Sequence, residues 1–268
     1  MEFKDKVVIV TGGTNGIGKA LVEYFVSVGA KVATCSRHFD DLYKLQTQHS
    51  GKPIYINTAD VSSVNDCEQF INKVVQTWGR IDILINNAGI SMRSEFQETE
   101  LETLKKLMDV NYWGTVYCTK FALPYLIQSK GIIVGISSIA GLRGLPGRSG
   151  YAASKHAMNG FLESIKVELA DDGVHVMWVC PGFTASNIRK VALTGDAKPE
   201  ANTLLDEKKL MRSEEVAEEI VKAIKKKKRH IVLTAQGKQT AWANRLIPDW
   251  LDKRLRKFYY NESGELIK

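Results

Sequence analysis

The feature that most constrains this chain is an apolar strand that runs directly into a glycine-rich turn and then into a helix. Lys6–Thr11 (KVVIVT) is an unbroken apolar run of strand length. Thr11-Gly12-Gly13-Thr14-Asn15-Gly16-Ile17-Gly18 follows it. Gly16–Val28 then sets Ile17, Leu21, Tyr24, Phe25 and Val28 at helical spacing. The unit repeats along the chain. Lys31–Cys35, Pro53–Asn57, Asp82–Asn86, Ile132–Ile136 and Val174–Val179 read as strands, with His230–Leu233 as a seventh. Helices are predicted over Val64–Trp78, with Ser62 and Ser63 as cap candidates, and over Thr103–Ser129, Gly150–Ala170 and Ser213–Lys227.

Strands that alternate with helices build βαβ units, and strands apolar on both faces belong to a parallel sheet covered on both sides. Crossovers in such a sheet are right-handed. The predicted class is therefore α/β, a doubly wound, mostly parallel Rossmann-type sheet with helices on both faces. No linker or internal repeat divides residues 1–268, so a single domain is expected, and 268 residues bury a core without a metal or disulfide staple. Cys35, Cys67, Cys118 and Cys180 are scattered, with no pair at metal-ligand spacing, so reduced cysteines in a cytoplasmic protein are expected and no metal site. No signal peptide and no transmembrane helix is expected from the sequence. Residues 183–212 break the alternation after the sixth strand. A lid over a site at the strand ends is favoured there over an ordinary loop.

The glycine turn has chemical meaning. Glycines let the backbone approach a pyrophosphate, and the N-terminus of the following helix offers free N–H groups and a positive dipole. Gly12, Thr14, Asn15, Gly16, Ile17 and Gly18 are therefore candidate cofactor-binding residues. At the end of the second strand, Ser36-Arg37 stands where an acidic residue would meet the ribose 2′-hydroxyl of NAD. An arginine and a hydroxyl suit a 2′-phosphate instead, so NADP(H) is favoured over NAD(H), against the plain reading of Arg37 as a solvated charge. Tyr151 and Lys155 lie four apart on one helical face. A tyrosine titrates near 10, and a neighbouring ammonium stabilises its phenolate. Ser138, just after the fifth strand, can donate to an oxygen that gains charge.

On these motifs the sequence resembles the short-chain dehydrogenase/reductase family, in its TGxxxGxG and YxxxK subtype, over roughly residues 5–185. The resemblance implies roles for further residues. Asn87, Ala88 and Gly89 match the segment after the fourth strand that supports the adenosine side, and Asp60-Val61 matches the adenine contact. Asn111 matches the asparagine that holds a proton-relay water. Ser138, rather than the adjacent Ser137, matches the catalytic serine, with Tyr151 and Lys155 completing the catalytic set and touching the cofactor. Pro181, Gly182, Thr184 and Ser186 match the loop beside the nicotinamide. The implied reaction is hydride transfer between NADP(H) and a carbonyl or secondary alcohol, with Tyr151 as proton donor or base. The implied partner is a second copy of the chain, paired through the helices at 103–129 and 150–170; a tetramer is not implied.

The basic balance of the chain belongs to one segment. Residues 222–257 hold twelve Lys or Arg against two Asp, whereas the whole chain is +7. From about 236 to 260 the chain departs from the family's usual ending. Trp242, Leu246, Ile247, Trp250, Leu251, Leu255, Phe258 and Tyr259 recur every three or four residues among cations, and Pro248 is expected to break or kink the helix. Two readings stay open for 238–260: a peripheral contact with an anionic membrane, or a helix pair packed on the body or a partner. No nucleic-acid partner is expected. Met92, Leu142, Leu145, Pro146, Phe183 and Leu193 are expected around the reacting carbonyl, which favours a lipophilic ketone. A steroid or 3-ketosphinganine-type lipid, a 3-oxoacyl carrier substrate, and a non-catalytic NADP-binding regulator are the alternatives.

Overall fold

A computed structural model describes residues 2–185, 188, 191–198 and 210–267. Seven parallel strands form the central sheet: β1 (Val7–Thr11), β2 (Lys31–Ser36), β3 (Ile54–Thr58), β4 (Ile83–Asn86), β5 (Ile132–Ile136), β6 (His175–Cys180) and β9 (His230–Val232). Their order is β3-β2-β1-β4-β5-β6-β9, with every pairing parallel. The chain winds outward one way from β1 and the other way from β4. Between those two strands the crossovers part, which opens a crevice at the carboxyl ends of the sheet.

Side chains alternate across each strand, so each face of the sheet builds its own core. Val8 and Val10 face α1 (Gly16–Ser27), α2 (Phe39–Gln48) and α7 (Ser213–Lys225), where Leu21, Phe25, Leu45, Ile220 and Ile224 are buried. Val7 and Ile9 face α3 (Val64–Trp78), α5 (Gly114–Ser129) and α6 (Ser149–Glu168), where Phe70, Ile71, Leu126 and Leu162 are buried. Each such side chain stabilises the fold by about 1.5–3 kcal/mol. Ser63 caps α3 by accepting from Asp66 N at 3.2 Å, and Gly79, at φ 72°, ends it.

Two elements differ from expectation. Helix α2 has only two buried positions, Leu42 and Leu45, in a polar stretch, so its apolar stripe is too thin to read from the sequence. The helix expected over 103–129 is divided into α4 (Leu101–Met108), a π-helical turn at Asp109–Trp113, and α5. Asn111 is buried within that turn. Pro248 breaks the helical run of the C-terminal segment, as expected. It is the first residue of α9 (Pro248–Tyr259), which folds back on α8 (Ala235–Leu246), and its missing N–H costs nothing there.

The two ends of the 183–212 segment are joined by short parallel strands, β7 (Thr184–Ala185) and β8 (Met211–Arg212). Its described middle is tied to the 91–100 segment by Arg93 N to Leu193 O (2.8 Å), Leu193 N to Ser91 O (2.8 Å) and Glu100 N to Gly195 O (3.0 Å). Ser186 lies outside the described residues. No described helix is long and apolar enough to cross a membrane.

Candidate active site

The crevice at the strand ends opens into a cavity of about 980 Å³. One end is the glycine turn. Gly12 holds φ +68° and Gly16 φ +53°, a region that side chains resist. A Cβ on Gly12 would lie 3.0 Å from Ala88 Cα, and one on Gly18 would lie 2.3 Å from Gly12 O. The turn is thus pressed against the β4 end and leaves bare backbone toward the cavity, a shape that fits a pyrophosphate. Thr14, Asn15, Gly16 and Ile17 line this end, whereas Gly18 is buried behind the turn. Asn87 secures it: its Nδ2 donates to Thr11 O (2.9 Å) and Gly12 O (3.1 Å), while its N–H and that of Ala88 donate to Thr11 Oγ1.

Ser36 and Arg37 stand beside that turn. Thr14 Oγ1 donates to Ser36 Oγ at 3.4 Å, and Arg37 is exposed at the cavity edge with no ion pair among the described residues. On the other flank Asp60 accepts from Ser62 N (2.9 Å) and Ser62 Oγ (2.7 Å) through Oδ1, so its Oδ2 carries no such bond. Val61, Ala88 and Gly89 continue the wall, and Pro181, Gly182 and Thr184 close it at the β6 end. The residues expected to hold a cofactor thus lie along one cavity, apart from Gly18, which supports the turn from behind, and Ser186, which lies outside the described residues.

The reacting end is built on β5 and α6. Ser138 ends the strand in extended conformation and caps a short turn by accepting from Ala140 N at 3.1 Å. Tyr151 and Lys155 follow one turn apart in α6, both buried. Burial raises the Tyr151 phenol above its ordinary value, opposed first by a hydrogen bond with Ser138 and then by the charge of Arg148. The sequence had assigned that electrostatic help to Lys155. Lys155 Nζ instead donates to Ile136 O at 2.8 Å and stands 6.0 Å from the centre of the Tyr151 ring. Burial lowers its ammonium from 10.5 to about 8. Ser137 is buried under Gly141, where a Cβ would meet its Oγ at 2.5 Å, so it faces the core while Ser138 faces Tyr151.

Asn111 is fully buried and does not line the cavity. Its Oδ1 accepts from Ile90 N (2.8 Å), and its Nδ2 donates to Ile90 O (2.9 Å) and Ser154 Oγ (2.9 Å). Ser154 Oγ donates in turn to Tyr151 O at 2.8 Å. Both amide hydrogens are therefore committed to joining the β4 loop to α6. The relay role implied for Asn111 rests on what remains of its acceptor oxygens.

The apolar end differs from the expected list. Leu145 and Phe183 do line the cavity, but Met92 and Leu193 are buried against each other in a bridge beneath Tyr151. Leu142 packs on the core and Pro146 lines a smaller neighbouring pocket. Their places are taken by the C-terminal helices. Trp242, Leu251, Leu255, Phe258 and Tyr259 form the far wall. The pair is latched to the loop after Ser138 by an Arg143–Asp252 ion pair, by Arg143 Nη1 donating to Asn244 Oδ1 (2.9 Å), and by Asn244 Nδ2 donating to Leu142 O (2.9 Å). The apolar spacing of 242–259 was visible in the sequence, but nothing in it told that this stripe covers the cavity.

Comparison with known proteins shows the family and the fold. Residues 6–196 match the model of the short chain dehydrogenase family. Dehydrogenase/reductase SDR family member 7B of Mus musculus is 33% identical over 239 residues, 87% of this chain and 74% of that protein. A Dictyostelium discoideum dehydrogenase/reductase SDR family protein 7-like is 31% identical over 265 residues, 96% of this chain and 82% of its own. Among solved structures, a short chain dehydrogenase/reductase from Burkholderia phymatum in complex with NAD superposes with a TM-score of 0.82 at 22% identity, covering 95% of this chain and 96% of its own. A short chain dehydrogenase from Burkholderia cenocepacia in complex with NADP gives 0.81 at 23% identity, covering 95% and 99%. These two likenesses concern the fold.

Proposed function

The chain belongs to the short-chain dehydrogenase/reductase family, a family of hydride-transferring oxidoreductases, and from that premise we propose that it is an NADP(H)-dependent reductase of a lipophilic ketone. The observation that carries the reading is the meeting of Ser138, Tyr151 and Lys155 in one cavity, with a glycine cradle at one end and an apolar wall at the other. A bound nicotinamide supplies the hydride, or accepts it in the reverse direction. The protein's own residues do the rest. Ser138 Oγ and the Tyr151 hydroxyl hold the carbonyl oxygen, and Tyr151 gives it a proton as charge develops. Lys155 stays protonated below about 8 and lines the cavity one turn from Tyr151, placed to hold the cofactor. Asn111 fixes the start of α6 against the β4 loop and so holds Tyr151 in position.

NADP(H) rather than NAD(H) is supported by Arg37, which has no ion pair among the described residues, and by the Ser36 hydroxyl at the end of β2. A lipophilic substrate is supported by the wall of α8 and α9, and Ile188 and Val191 of the 183–212 segment reach the same mouth, as a lid would. A homodimer through α4, α5 and α6 is supported by Leu101, Trp113 and Val167, which are exposed there. Trp242, Leu246, Ile247 and Trp250 are exposed at the tip of the C-terminal pair, beside Lys238, Arg245, Lys253 and Arg254. That tip favours a peripheral contact with an anionic membrane as a second reading for the segment. Replacing Tyr151 with Phe tests the enzyme against the idle regulator. Turnover of ketones should be lost while NADPH still binds; surviving turnover would defeat the proton-transfer role.

A further inference from the structure

Arg148 stands three residues before Tyr151, on the wall of the cavity, and is only 8% exposed. Its Nη1 donates to Ser91 Oγ and to Met92 O, both at 3.1 Å. Those bonds fix one end of the guanidinium. Its Nε is buried and has no acceptor, and no carboxylate pairs with it among the described residues. Next to it is Tyr259 of α9, a phenol that feels the guanidinium through charge and a hydrogen bond. Arg148 therefore lies between the Tyr151 side of the site and the C-terminal wall.

A cation withdrawn from water costs several kcal/mol unless it is paired or fully hydrogen-bonded. The other buried charges here are Asp82 and Lys155. Asp82 takes Arg80 at 2.6 Å and Lys6 at 3.2 Å, and Lys155 donates to Ile136 O. Arg148 keeps its Nε–H without an acceptor, and it lines a cavity whose walls include Leu145, Leu251, Leu255 and Phe258. The cofactor phosphates do not answer this charge, because their cradle is at the opposite end. A guanidinium edge matches a carboxylate in plane and in spacing. One cation beside a neutral phenol balances one negative charge rather than two.

We propose that Arg148, with Tyr259, binds a carboxylate on the substrate, so that the substrate class is an apolar carbonyl compound with an acidic group. The inference rests on the reductase reading for the word substrate, but the anion site is testable without turnover. The full chain, loaded with NADPH, is titrated with octanoate and with octanol in a calorimeter. Octanoate should bind about 10- to 100-fold more tightly, the range of a charge-assisted pair. Arg148→Met should remove the preference, and Arg148→Lys, which keeps the charge but loses the fork, should keep part of it. NADPH affinity should not change in either variant. Equal binding of octanoate and octanol by the unaltered protein would overturn the proposal without any variant, as would a preference that survives Arg148→Met. Loss of ketone turnover is a separate matter: an enzyme silent on every ketone but selective for octanoate would defeat the reductase reading and leave this site standing.

Discussion

Replacing Lys155 with methionine should make the protein's stability depend on pH in a different way, and the size of the change comes from burial. Lys155 is 2% exposed, and its ammonium titrates near 8 instead of 10.5. The charged form is the one that burial disfavours. Between those two values the unfolded chain holds the proton and the folded chain has released it. Stability attributable to Lys155 therefore rises with pH across that window and is lowest below about 8. The full span is on the order of 3 kcal/mol, at 1.36 kcal/mol per pH unit. Methionine has a similar length and no proton. Urea unfolding of both proteins without cofactor, from about pH 7 to about pH 10, isolates the contribution as the difference between the two stabilities. That difference should move in favour of the lysine protein as pH rises, with equal slopes in urea. A flat difference would mean that the ammonium is not desolvated. A difference that moves the other way would mean that the folded site prefers the charged form, as it would if an acidic group faced it.

Other changes separate the parts of the site. Arg37→Ala should weaken NADPH binding about 10-fold or more and leave NADH nearly unchanged, read by fluorescence titration; equal effects on both would remove the 2′-phosphate role. Gly12→Ala meets both a positive φ and Ala88 Cα at 3.0 Å, so it should cost about 1–2 kcal/mol in stability before any loss of cofactor binding. A melting temperature equal to that of the parent would contradict this. Leu251→Ala removes a buried side chain that holds α9 on the cavity. Its local cost of about 2–5 kcal/mol should fall on the C-terminal pair, raising KM for lipophilic ketones while NADPH affinity stays constant. If KM is unchanged, the pair is not the substrate wall.

Most of the sheet was legible because its strands are apolar on both faces and its helices are not. Lys6–Thr11 and Ile132–Ile136 admit few other readings, and the glycine turn after β1 commits the chain to a tight entry into α1. Helix α2 was not legible, since two leucines in a polar decapeptide give almost no stripe. The π-helical turn at Asn111 was hidden for a different reason: one inserted residue leaves the average spacing of a long helix nearly unchanged. Among the expected site residues, Tyr151 and Lys155 stand out only because their spacing joins the glycine turn and a serine after the fifth strand. Arg148 does not, because its meaning comes from Ser91, Met92 and Tyr259, which are distant in sequence. The far wall failed on the same ground. Leu251 and Phe258 have the spacing of any amphipathic helix, and only the Arg143–Asp252 and Asn244–Leu142 contacts decide where that helix lies.

The central claim is reduction of a lipophilic carbonyl by NADPH at the Ser138–Tyr151–Lys155 site. Following nicotinamide absorbance with matched long-chain and small polar ketones, each with NADPH and with NADH, tests it most directly. The account predicts turnover with NADPH on the long-chain set, abolished in Tyr151→Phe. Turnover confined to the polar set, or to NADH, or unaffected by Tyr151→Phe, would contradict it.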